Sequence, residues 1–134
     1  MVAETVVNDT LTDAMTDAGA ELTRLLDQAG LEVRASLWLY MPDGNVWRLV
    51  IASPEVETLG PKKVYEKIQS VLSQRPEKRP RLGLKDISVV EPAHPLVSLL
   101  AKAISTGDDV SGIRFSRNVI DGQFIEDAYI YRML

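Results

Sequence analysis

Arg114, Ser116 and Asn118 alternate along one side of an Asp121-Gly122 pair, and Asp127, Tyr129 and Tyr131 alternate along the other. Their chemistry is that of recognition. Tyrosine and arginine combine a large contact area with a polar end, and both are enriched at binding hot spots. Serine, asparagine and aspartate add short hydrogen-bonding groups. Nothing in this set is a nucleophile with a base beside it.

Residues with catalytic potential are few. His94 is the only histidine and there is no cysteine, so the common zinc sites, disulfides and cysteine nucleophiles are excluded. His94 lies in Pro92-Ala93-His94-Pro95, where a turn or helix-capping role is expected. No Gly-x-Ser-x-Gly elbow and no phosphate-binding glycine loop is present. Asp108, Asp109, Asp121, Glu126 and Asp127 could in principle gather around magnesium, which prefers oxygen ligands. A magnesium nuclease would need an acid followed by a second acid and a lysine on a neighbouring strand. Residues 46–53 after Asp43 lack both, and residues 87–91 lack the lysine. No metal or other cofactor is expected.

The recognition set depends on a hairpin. Asp-Gly favours a two-residue type I′ turn, because both residues accept positive φ. With that turn, Ile120 pairs with Gln123, Val119 with Phe124, Asn118 with Ile125, Ser116 with Asp127, Arg114 with Tyr129 and Ile113 with Ile130. Strand alternation then puts Ile113, Phe115, Val119, Phe124, Ala128 and Ile130 on one face. The polar set shares the other face with Ile120 and Ile125. Arg117 would face Glu126 as a cross-strand ion pair, worth about 0.2–1 kcal/mol.

The remaining elements follow from periodicity. Residues 10–29 carry Leu11, Met15, Ala18, Leu22, Leu25, Leu26 and Ala29 at helical spacing, with Thr10 and Asp13 as a capping box and Gly30 as the stop. Residues 33–41 and 46–53 read as strands around Pro42-Asp43-Gly44, with Leu37 and Leu39 sharing a face with Trp47, Leu49 and Ile51, and with Trp38 opposite Arg48. Gly60-Pro61 opens a second helix with Val64, Ile68, Val71 and Leu72 inward, ending near Arg75-Pro76. Residues 87–91 form a short apolar strand, as for one covered on both faces. A third helix turns Leu96, Leu99, Leu100, Ala103 and Ile104 inward and stops at Gly107.

The expected fold is therefore α/β or α+β, a single domain over residues 1–134. Its order is α-ββ-α-β-α-ββ, with a mixed sheet of about five strands and three helices. Residues 1–8 are expected to be a flexible leader and residues 76–85 an exposed basic loop. A composition 46% hydrophobic and 25% charged is that of an ordinary globular protein. No apolar run reaches the ~20 residues of a membrane span, and the first residues lack a signal-peptide pattern.

The net charge of −4 hides a basic segment: Lys62, Lys63, Lys67, Arg75, Lys78, Arg79, Arg81 and Lys85 against two acids. Such a segment can meet an anionic partner. The sequence names no function. It favours a non-enzymatic, cytoplasmic protein-interaction or accessory domain. Arg114, Ser116, Asn118, Asp127, Tyr129 and Tyr131 would be its contact face, for a partner protein or a second copy of the chain. The alternatives are nucleic-acid binding through residues 62–85 and, more weakly, a magnesium-dependent hydrolase.

Overall fold

The computed structural model describes residues 10–74 and 82–134. The expected leader (residues 1–8), and Arg75, Lys78, Arg79 and Arg81 of the basic loop, lie outside the described residues. A single five-stranded sheet runs in the order β3-β2-β1-β5-β4. Its strands are β1 (Ala35–Met41), β2 (Val46–Ala52), β3 (Ile87–Val90), β4 (Ile113–Ile120) and β5 (Gln123–Met133). Only the β2–β3 pair is parallel, as expected of a mixed sheet whose β2 reaches β3 through helices.

There are four α-helices among the described residues, one more than expected: α1 (Asp13–Gln28), α2 (Glu55–Leu59), α3 (Pro61–Ser73) and α4 (Pro95–Ala101). The added α2 is a short turn of helix broken from α3 at Gly60, where φ is +89°. The α1 cap is Thr12, whose Oγ1 accepts from Met15 N–H, rather than Thr10. Helix α4 ends at Ala101, not Gly107, because Ile104 turns back into the core and Thr106 N–H bonds to Met133 C=O. Among the described residues no helix is long and apolar enough to cross a membrane.

The sheet is covered unequally. On one face α1 and α3 pack Ala18, Leu22, Leu26, Val64 and Ile68 onto Trp38, Leu49, Ile51 and Ile87. On the other, α4 brings Val97, Leu99 and Leu100 against Leu37, Leu39, Val50, Ala128 and Ile130. Burying an aliphatic side chain of this kind contributes about 1.5–3 kcal/mol. Both layers are therefore needed to hold the sheet.

The first hairpin closes on the expected loop, but its pairing is shifted by one residue from expectation. Its loop holds four residues, Pro42 to Asn45, with Asn45 at φ +52°. Trp38 consequently faces Leu49, and Tyr40 faces Trp47. A one-residue slip exchanges faces. Trp47, Leu49 and Ile51 thus join Trp38 under α1 and α3, while Leu37 and Leu39 lie on the α4 side. Arg48 is opposite Leu39 and bonds to Ser88 and to the carbonyls of Lys85 and Ile87.

The β4–β5 register is the expected one, with Asp121 and Gly122 at φ +51° and +78°. The faces exchange partway along it, at Arg117, whose φ is +48°. Beyond that point Ile120 and Ile125 are buried with the α4 layer, whereas Val119 and Phe124, expected inside, are 56% and 58% exposed. The bend also separates Arg117 from Glu126, which form no ion pair. Strand β3 is an edge strand, and both its faces are partly covered as expected, Ile87 and Val89 on the α1 and α3 side and Val90 on the α4 side. Its free side is tied to α3 by Tyr65, whose hydroxyl accepts from Val89 N–H at 3.0 Å.

Candidate binding surface

The β4–β5 pairing sets Arg114 opposite Tyr129 and Ser116 opposite Asp127. The diagonal contact is the one that forms. Arg114 Nε and Nη2 donate to the two oxygens of Asp127, each at 2.7 Å. The guanidinium carbon also lies 5.7 Å from the centroid of the Trp47 ring. Those hydrogen bonds raise the Arg114 pKa further above its already high value. The pair is half exposed on the arginine side, so it adds only about 0–1 kcal/mol of stability. The stacking adds a similar amount. Their larger effect is positional: a side chain with four free torsions is held in one place at the surface.

Trp47 is itself braced. Tyr40 packs against it with centroids 5.4 Å apart, and the Tyr40 hydroxyl donates to Asn45 Oδ1. The chain of contacts thus runs from Asp127 on β5 through Arg114 on β4 to Trp47 on β2 and Tyr40 on β1. Trp47 was expected on the face of Leu37 and Leu39, and neither it nor Tyr40 was expected beside Arg114. Pairing the strands evenly across residues 42–45, Met41 opposite Val46, places both on this face.

The six expected residues fall into three groups. Arg114 and Ser116 are exposed on the Trp47 side; Asn118, exposed beyond the bend, pairs with Ile125 on the α4 side, and its side chain accepts from Val119 N–H. Asp127 and Tyr129 are half-buried supports. Tyr129 meets Tyr131 edge to face at 5.4 Å, and a Cβ at Gly112 would come within 2.4 Å of its hydroxyl. Tyr131 is not on the surface at all. It is the extra residue of a bulge in β5, between Ile130 and Arg132, and both Tyr131 and Arg132 reach α1. Its hydroxyl donates to Thr16 C=O at 2.6 Å and accepts from Trp38 Nε1 at 3.0 Å. Burial pushes the phenol well above its ordinary pKa, so it stays neutral. Arg132, also buried, bonds to Asp27 and to the Val33 and Asp108 carbonyls, joining α1, β5 and the loop before β4.

The structure does not gather the other candidate sets. Lys62, Lys63 and Lys67 are exposed on α3, over the β2–β3 end of the sheet and away from β4. Lys67 is paired with Glu55 at 2.8 Å. Lys85 is exposed in a short 3-10 turn, Leu84–Asp86, but Leu82 before it is buried, which shortens the expected exposed loop. Asp121 is paired with Lys102, and Asp127 with Arg114. No group of three metal-ligating side chains exists among the described residues. His94 caps α4, its Nδ1 accepting from Leu96 N–H at 3.1 Å.

Trp47 also belongs to a cleft of about 350 Å³ beside α1, lined by Ala14, Met15, Ala18, Trp38, Trp47, Leu82 and Asp86. A second cleft of about 420 Å³ lies on the α4 side, between His94, Pro95 and Leu96 and the ends of β1 and β5. Comparisons with protein-family models, with curated proteins and with solved structures return no match.

Proposed function

We propose that this chain is a non-enzymatic protein-interaction domain of the cytoplasm, contacting a partner protein through the exposed side of β4 that carries Arg114 and Ser116. One observation carries the reading. Arg114 stands at the surface, yet it is held by two hydrogen bonds and an aromatic ring rather than left mobile. Ordering such a side chain on binding ordinarily costs about 0.5–1.5 kcal/mol, and here much of that ordering precedes binding. Helix α1 packs against β1 and β5, and the β4 residues beyond it stay exposed. The dispersal of the acids among ion pairs and the capping role of His94 lend no support to a hydrolytic reading.

The test is capture from source lysate with and without nuclease, comparing the wild-type chain with Arg114→Ala and Ser116→Arg. A protein retained by the wild type and lost in both variants, with melting temperatures little changed, is the expected result. Recovery of only further copies of the bait would make the partner this chain itself. Equal capture by all three baits, or capture abolished by nuclease, would overturn the proposal.

A further inference from the structure

Four of the six exposed large hydrophobic residues among those described, Met41, Val46, Val119 and Phe124, lie at one end of the sheet. Met41 pairs with Val46 across the tip of the first hairpin, and Val119 with Phe124 across the tip of the second. The Leu39–Ala128 pairing of antiparallel β1 and β5 brings both tips to the same end. Between them opens the cleft of about 420 Å³, with Met41 and Pro42 from one tip, Phe124 and Glu126 from the other, and Leu96 and Leu99 from α4. An exposed aromatic ring and an open apolar cleft thus stand side by side. The charges are divided in the same way. Arg117 and Glu126 lie between the Ser116–Asp127 and Asn118–Ile125 pairs, yet they form no ion pair, and among the described residues neither side chain has another partner.

We infer that two copies of this chain associate about a two-fold axis at this end, each inserting Phe124 into the other's cleft and setting Arg117 against the partner's Glu126. In a two-fold contact one surface must carry both halves of every interaction. This surface does: ring and cleft, cation and carboxylate. A cavity of about 150 Å³ accommodates benzene, so the cleft has room for the ring. Chains of net charge −4 repel one another over most of their surface. Here Arg117 balances Glu126 and Lys102 is paired with Asp121, so the two copies meet no net charge. The positive φ of Arg117 fits the same reading. It is a conformation that costs an arginine free energy, and its effect is to turn Val119 and Phe124 outward. The contact lies beyond that bend from Arg114 and Ser116, and it does not depend on the partner proposed for them. It is small, so a dissociation constant on the order of tens of micromolar is expected, and the chain is monomeric at about 1 μM.

Sedimentation velocity of the purified chain, from about 1 to about 500 μM, reads the association directly. A shift from monomer to dimer across that range is expected. Phe124→Ser should weaken it about tenfold or more. Arg117→Glu and Glu126→Arg each set like charges together across the axis, and each should weaken it about tenfold. An equimolar mixture of those two variants should recover dimer, because both contacts of the mixed pair then join opposite charges. Loss of folding in either variant cannot produce that recovery. A monomer at every concentration, a dimer untouched by Phe124→Ser, association that continues past the dimer, or no recovery on mixing would overturn the inference.

Discussion

Gly19 lies in the middle of α1, where replacing glycine by alanine ordinarily stabilises a helix by about 1 kcal/mol. In this protein the packing reverses the sign. A methyl group on Gly19 would lie 2.4 Å from Tyr131 Oη and 2.8 Å from both Trp38 Nε1 and Tyr131 Cε2. These atoms belong to rings 1% and 2% exposed, so neither can swing aside. Overpacking of this kind costs about 1–3 kcal/mol. Displacing the Tyr131 hydroxyl also weakens its bonds to Thr16 and Trp38, each worth about 1 kcal/mol. The net expectation for Gly19→Ala is a loss of about 1–3 kcal/mol, or about 4 °C of melting temperature per kcal/mol. Urea titration measures it directly. Tyr131→Phe supplies the control, since it removes the atom nearest the new methyl. The double variant Gly19→Ala/Tyr131→Phe should be less destabilised than the sum of the singles by about 1 kcal/mol. A Gly19→Ala protein as stable as the wild type, or strictly additive variants, would refute the packing argument and with it the depth at which α1 sits on β1 and β5.

Two further predictions concern the sheet and its edges. Ile125→Ala should cost about 2–4 kcal/mol, as for a buried aliphatic residue, and Phe124→Ala less than about 0.5 kcal/mol, both read from urea midpoints. Equal costs would mean that the faces do not exchange at Arg117. The Glu55 carboxyl is held below its ordinary value of 4.5, first by its hydrogen bond from Lys67 and then by Glu32 N–H. A lowered folded-state pKa stabilises above the unfolded value and loses that contribution as pH falls through the folded one. The stability gap between wild type and Glu55→Gln should therefore be full above about pH 5 and shrink on further acidification. A gap that widens on acidification would contradict the assignment.

What the residues made legible, and what they did not, divides by the range of the physics involved. The Asp121-Gly122 turn set the whole β4–β5 register, because a two-residue loop admits few geometries. Gly30 and Gly60-Pro61 marked helix ends correctly through local backbone constraints. His94 as a cap was legible for the same reason. Pro42-Asp43-Gly44 marked the turn but not the pairing across it, and a shift of one residue puts Trp47 on the other face. The bend at Arg117 has no such signature: arginine is not a residue whose type announces a positive φ. Tyr131 read as surface because strand alternation alone cannot say which face a helix will cover. Its burial depends on α1 approaching closely enough at Gly19, a contact across more than a hundred residues of chain.

The central claim is that the exposed side of the C-terminal hairpin meets a partner. Hydrogen–deuterium exchange on the complex recovered by capture tests it most directly, with the free chain as reference. The account predicts slowed exchange over β4 and the first half of β5, with α3 unchanged. Protection confined to α3 or α4, with the hairpin exchanging as in the free chain, would contradict it.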